Sequence, residues 1–194
     1  MKELAQHITD LVENSVEAGA KRVEILLDEA PGEDRLTVTV ADDGRGMSPD
    51  QVARAVDPFW TTRTCRRVGL GLPLLAATAQ RCEGSMVIAS QPGRGTTVTA
   101  YFRRSHIDRP PLGDLRATLV GALVGHPGVD IHYRHSVDGR VFQLDGAAIR
   151  RELRDVSISH PRVLRWLEQH VAEGLTEMGL GPISLEGESD AQVA

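Results

Sequence analysis

The stretch Leu36-Thr37-Val38-Thr39-Val40-Ala41-Asp42-Asp43-Gly44-Arg45-Gly46-Met47 decides how the chain is read. Its first half alternates apolar and β-branched residues, the pattern of a half-buried strand over Leu36–Ala41. Its second half turns sharply, because Gly44 and Gly46 let the backbone pass close to a neighbour with no Cβ in the way. Asp42 is thereby fixed at a strand end. A carboxylate in that position can accept a hydrogen bond from the exocyclic amine of adenine, where guanine presents an oxygen instead. An acidic β-turn with no ligand is the plainer reading of the same five residues.

Upstream, Leu4, Ile8, Leu11, Val12 and Ser15 recur at three and four, which predicts a helix over 3–18 closed by Gly19. Asn14 follows Asp10 by four positions and precedes Glu17 by three, so the three side chains share one helix face. An amide oxygen there can ligate Mg²⁺, which takes oxygen ligands and completes its shell with phosphate and water. The alternative is a solvated polar face. Arg22–Asp28 is a second strand, joined to Leu36–Ala41 by the Pro31-Gly32-Glu33-Asp34 turn as an antiparallel hairpin.

Downstream, Ser48-Pro49-Asp50 opens a short helix with serine as N-cap and proline in its first position. A loop at 57–68 leads to Gly69-Leu70-Gly71-Leu72 and a buried helix over Gly71–Arg81. Backbone amides at such a helix start can hold phosphate, although a GLGL segment also serves simply to pack a helix on a sheet. Met86–Ser90 and Thr96–Arg103 are two further strands about the Gly93-Arg94-Gly95 turn. The order α-β-β-α-α-β-β implies an α/β sandwich, with helices covering one face of a mixed sheet.

Arg104–Pro111 reads as a linker, and residues 112–180 as a small α+β module. In that module Leu112–Val124 is helical, Val129–Arg134 pairs with Val141–Leu144 across Asp138-Gly139, and helices follow at 146–154 and 161–178. The expected division is therefore 1–104, 112–180 and a disordered acidic tail over 181–194.

Composition narrows the function classes. The net charge of -5 over 194 residues argues against a dedicated nucleic-acid binder, which needs a basic face. No apolar run reaches the roughly 20 residues of a membrane span, and the N-terminus has neither signal- nor transit-peptide character. Cys65 and Cys82 lack the spacing of a zinc site and read as free thiols of a cytoplasmic protein. Cys65 lies among Arg63, Arg66 and Arg67, neighbours that favour a thiolate, so a redox switch is the alternative there.

Four boxes in this order resemble the GHKL superfamily, the ATP-binding fold shared by gyrase, the heat-shock chaperone ATPase, histidine kinases and MutL. They are Asp10–Ser15, Asp42–Met47, Gly69–Leu72 and Gly93–Thr97, and the resemblance covers about residues 3–103. It implies a Bergerat-type two-layer α/β sandwich with Asn14 as Mg²⁺ ligand and Asp42 as the adenine contact. It also implies Gly44, Gly46, Met47, Arg63, Gly69, Leu70 and Gly71 around ATP, and Thr96 near the adenine. Leu11–Ala20 is similar to the MutL version of the first box. Pro58–Arg63, Gly69–Leu72 and Gly93–Thr97 resemble histidine kinases. Asp10 stands where MutL-like ATPases carry a glutamate general base, Glu17 where kinases often carry a basic residue, and Arg67-Val68 where kinases carry Gly-Thr.

The reading that results is a Mg-dependent, ATP-binding signalling or regulatory kinase module that phosphorylates a protein partner in trans. The alternatives are a MutL- or chaperone-like ATPase that gates a partner and self-associates as a dimer, and a non-catalytic nucleotide sensor. The expected partners are ATP and a protein, with neither nucleic acid nor membrane.

Overall fold

A computed structural model describes residues 3–57 and 71–179. In chain order these form α1 (Leu4–Glu17), β1 (Arg22–Ala30), β2 (Arg35–Asp42), α2 (Pro49–Arg54), α3 (Gly71–Arg81), β3 (Ser85–Ser90), β4 (Thr96–Arg103), α4 (Leu115–Gly125), β5 (Asp130–Val137), β6 (Arg140–Asp145), α5 (Gly146–Leu153) and α6 (Pro161–Glu177). The candidate residues Arg63, Gly69 and Leu70, together with Cys65 and the expected tail at 181–194, lie outside the described residues.

The strands form one six-stranded sheet in the order β3-β4-β2-β1-β5-β6. It is mixed, since β1 and β5 run parallel and every other neighbouring pair is antiparallel. Register explains its two faces. Ile25 lies opposite Val40 on one side and Tyr133 on the other, and Val40 lies opposite Val98. Directly opposed residues share a face, so a single apolar surface crosses all the strands. The helices cover that surface with Leu4, Ile8 and Leu11 of α1, Leu75 of α3, Leu119 and Leu123 of α4, and Leu167 and Val171 of α6. This is the expected α/β sandwich.

In residues 112–179, where a small α+β module is expected, β5 pairs with β1 along the whole of that strand, and one continuous core spans both parts. The Asp138-Gly139 turn joins β5 to β6 as expected, both residues having the positive φ (47° and 80°) that a tight two-residue hairpin needs. The end of the expected linker is bonded to α1. The Pro111 and Leu112 carbonyls accept from the Leu4 and Ala5 amides at 3.0 and 2.8 Å, satisfying donors that the start of a helix leaves without partners.

One polar chain is buried at the β1–β5 seam. His135, fully buried, places Nε2 3.2 Å from Glu29 Oε1 and Nδ1 3.0 Å from the Tyr133 hydroxyl. A neutral imidazole satisfies both, donating to the carboxylate and accepting from the phenol. Arg104 Nε donates to the other Glu29 oxygen at 2.8 Å. The His135 hydrogen bond, helped by Arg104, draws the Glu29 pKa down from 4.5 to about 2.

Candidate functional site

The end of β2 and the C-terminal half of α1 are tied together by the glycine turn. Arg45 donates its amide to the Ala18 carbonyl at 2.9 Å and its guanidinium to the Glu17 carbonyl at 3.0 Å. These are the carbonyls a helix end leaves open, and a cation is favoured there by the helix dipole. Asp43 braces the other side, its Oδ1 accepting the Lys21 and Arg22 amides at 2.7 and 2.9 Å. Those amides, Arg22 foremost, hold its pKa below the usual carboxylate range.

Asp42 is thereby left to face the site. Its Oδ1 accepts the Gly44 amide at 2.8 Å and the Thr96 amide at 3.3 Å, and its Oδ2 accepts the Ser15 hydroxyl at 2.9 Å. Gly95, with φ +83°, passes so close that a Cβ would lie 1.8 Å from the Asp42 carbonyl oxygen, so no larger residue fits. Ser90 joins the turn to β3 and β4. It accepts the Met47 amide at 2.8 Å, lies 2.9 Å from the Gly95 carbonyl, and lies 2.9 Å from the Thr96 hydroxyl. Ser90, Gly95 and Thr96 also line an open depression of about 700 Å³ between α2 and the β3–β4 pair.

Asn14 and Asp10 are half-buried on α1, one turn apart. A Cβ on Gly71, at the head of α3, would lie 3.7 Å from Asp10 Oδ2. The polar stripe of α1 therefore runs from the start of α3, past Asn14, to the Arg45 turn. Of the sequence candidates, Gly44 and Thr96 meet Asp42 directly, Met47 joins Thr96 through Ser90, and Asp10 stands beside Gly71.

Residues 2–106 match the family described as histidine kinase-, DNA gyrase B- and HSP90-like ATPase. The chain belongs to this ATPase family. Among similar members, sensor histidine kinase ZraS of Salmonella typhi is 29% identical over 100 residues, which is 51% of this chain and 21% of that kinase. Histidine protein kinase DivJ of Caulobacter vibrioides is 34% identical over 100 residues, covering 50% of this chain and 17% of its own. Sensor protein kinase FleS of Pseudomonas aeruginosa is 37% identical over 92 residues, covering 47% and 23%. The chain thus spans about a fifth of the length of these kinases. A solved structure, the N terminal domain of a DNA repair protein, shares the fold with a TM-score of 0.58 at 15% identity. That likeness covers 90% of this chain and 59% of the other, so it runs well beyond residue 106.

Three residues that bond the Asp42 turn are not among the sequence candidates. Ser15 reads as part of the apolar stripe, yet its hydroxyl meets Asp42. Asp43 reads as part of an acidic β-turn, and Ser90 belongs to no motif. Only Asp43 carried a usable signal, since an Asx side chain at a turn commonly takes nearby backbone amides. Among the described residues no helix is long and apolar enough to cross a membrane, and no cluster of three or more His, Cys, Asp or Glu is placed to hold a metal ion.

Proposed function

We propose that this ATPase-family module binds Mg·ATP at the Asp42 rim and transfers the γ-phosphoryl group to a protein partner in trans. The observation that carries the nucleotide reading is the filling of the Asp42 carboxylate. An ionised carboxylate offers about four acceptor positions, and three are taken by Gly44, Thr96 and Ser15. The remaining position suits an N–H donor. Adenine supplies one through its exocyclic amine, and guanine offers a carbonyl that the carboxylate repels.

Asn14 fits a magnesium ion as a single oxygen ligand, the other positions being left to phosphate and water. Magnesium bound there would neutralise phosphate charge. The amides at the head of α3 lie at the other end of the same stripe and suit phosphate oxygens. The similarity to sensor kinases supports phosphoryl transfer, a reaction carried mainly by positioning and charge neutralisation.

A second reading, hydrolysis, is favoured by Asp10, whose carboxylate stands beside Gly71 at the head of α3. It would act there as general base for water. Calorimetry with ATP and Mg²⁺ tests the site. Asp42→Ala is expected to weaken binding by at least about tenfold, the worth of one hydrogen bond to a charged group. Unchanged affinity would remove Asp42 from the nucleotide contact. γ-Labelled ATP then separates the chemistries. Label on a partner protein supports the kinase; free phosphate that falls in Asp10→Ala supports hydrolysis; binding with neither leaves a nucleotide sensor.

A further inference from the structure

A second depression, of about 510 Å³, lies where α5 meets the ends of β1, β5 and β6. Its charged lining is Arg22, Asp130, His132, Asp145, Arg150 and Arg151. Register brings four of these together. Arg22 lies opposite Asp130 across β1 and β5, and His132 lies opposite Asp145 across β5 and β6. All four leave the sheet on the face away from the core, because their strand neighbours Val23, Ile131 and Leu144 are the buried ones. α5 follows β6 directly and adds Arg150 and Arg151.

The chain carries a net charge of -5, yet here three guanidinium groups stand beside two carboxylates. Both carboxylates are committed. Asp130 accepts from Arg150 Nη2. Asp145 caps α5 by accepting the Ala148 amide at 2.9 Å, and lies 3.6 Å from His132 Nδ1. The cations are not committed to the same degree. Among the described residues Arg151 makes no ion pair, and Arg22 has only a long one, 3.9 Å to the exposed Glu24. A further nitrogen, Arg150 Nη1, is shut off from solvent with no acceptor. Native proteins rarely leave such donors without a partner.

We propose that this depression is an oxyanion site, which takes a small ligand carrying a phosphate group or several carboxylates. Arg22, Arg150 and Arg151 form its cationic wall, and guanidinium forks match the paired oxygens of either group. Ligand oxygens supply the acceptors that Arg151 and Arg150 lack. A metal cation is the wrong guest, since three permanent positive charges line the wall and both carboxylates are engaged. None of the site's side chains meets Asp42, although the Arg22 amide bonds Asp43 beside it.

Inorganic phosphate and citrate are the probes, titrated into the full chain against chloride at matched ionic strength, with calorimetry and the arginine Nε–H NMR signals as readouts. Saturable binding of either probe is expected, and which of the two binds better tells phosphate chemistry from polycarboxylate chemistry. Arg151→Gln and Arg151→Glu change an exposed side chain, so both variants are expected to fold, which their melting curves check. Each is expected to weaken the probe by about tenfold, the loss of one charge-assisted hydrogen bond, with ATP affinity unchanged. Equal probe affinity in wild type and both variants overturns the proposal, because the oxyanion then sits elsewhere, the nucleotide site included. So does the absence of saturable binding beyond the chloride control.

Discussion

Asp42 and Glu29 occupy opposite ends of the β1–β2 pair, and both are carboxylates that accept several hydrogen bonds. Their partners differ in kind. Asp42 is held by two backbone amides and one hydroxyl at the open rim of the sheet. Glu29, only 8% exposed, is held by side chains 75 and 106 residues away, Arg104 and His135. Fixed backbone donors orient a carboxylate while leaving acceptor capacity for a ligand. Side chains drawn from distant parts of the chain consume that capacity and convert it into cohesion between parts of the fold. The first arrangement suits binding and the second suits stability, so changes at the two ends should separate affinity from folding.

The harshest way to break that comparison is to remove residues 107–194. This deletes Leu119, Leu123, Ile131, Leu167 and Val171, all essentially fully buried. Each is worth about 2 kcal/mol of burial, and their sum rivals the roughly 5–15 kcal/mol net stability of a whole domain. The fragment 1–106 is expected to lose cooperative thermal unfolding by circular dichroism. A fragment that melts cooperatively and still binds ATP would show that the Glu29 seam joins two self-sufficient parts.

Glu29→Gln is expected to cost about 2 kcal/mol by urea denaturation, the scale of hydrogen bonds to a charged group, while ATP affinity of the folded protein stays the same. Acid supplies the same test without mutation. The folded pKa of Glu29 is depressed from 4.5 to about 2, so its contribution is fully present above about pH 4.5 and is lost as the pH falls towards about 2. The variant should show a flatter stability profile across that window, and parallel profiles would remove Glu29 from the account.

The smallest change sharpens the other end. Ser15→Ala removes one donor from Asp42, worth about 1 kcal/mol. ATP affinity is expected to fall about fivefold, with stability nearly unchanged. No loss of affinity would mean that the Gly44 and Thr96 amides position the carboxylate unaided.

The same contrast decides what could be read from the sequence. The β1–β2 hairpin, α1, α3 and the Asp138-Gly139 hairpin announce themselves, because periodicity and turn chemistry are local. Asp42 with its glycines is local too. The pairing of β5 with β1 has no such signal, since Arg22 and Asp130 meet across more than a hundred residues with nothing between them that specifies a parallel partner. α4 is apolar nearly all round, with Val120, Leu123 and Val124 adjoining Leu119, so its sequence predicts burial without saying against what. Ser15 and Ser90 stay silent for another reason. A hydroxyl has no periodicity, and its role appears only when the neighbours are placed.

The carbonyls of Pro111 and Leu112 on the first amides of α1 have a kinetic consequence. The opening turn of a helix is ordinarily the first to fray, and its amides are among the quickest to trade hydrogen with solvent. Here Leu4 and Ala5 are held by a segment that lies beyond the matched family region. Their exchange should be slow and governed by release of that segment rather than by fraying. Pulse-labelling at these two amides would therefore time the strap's departure from α1, the helix that carries Asn14.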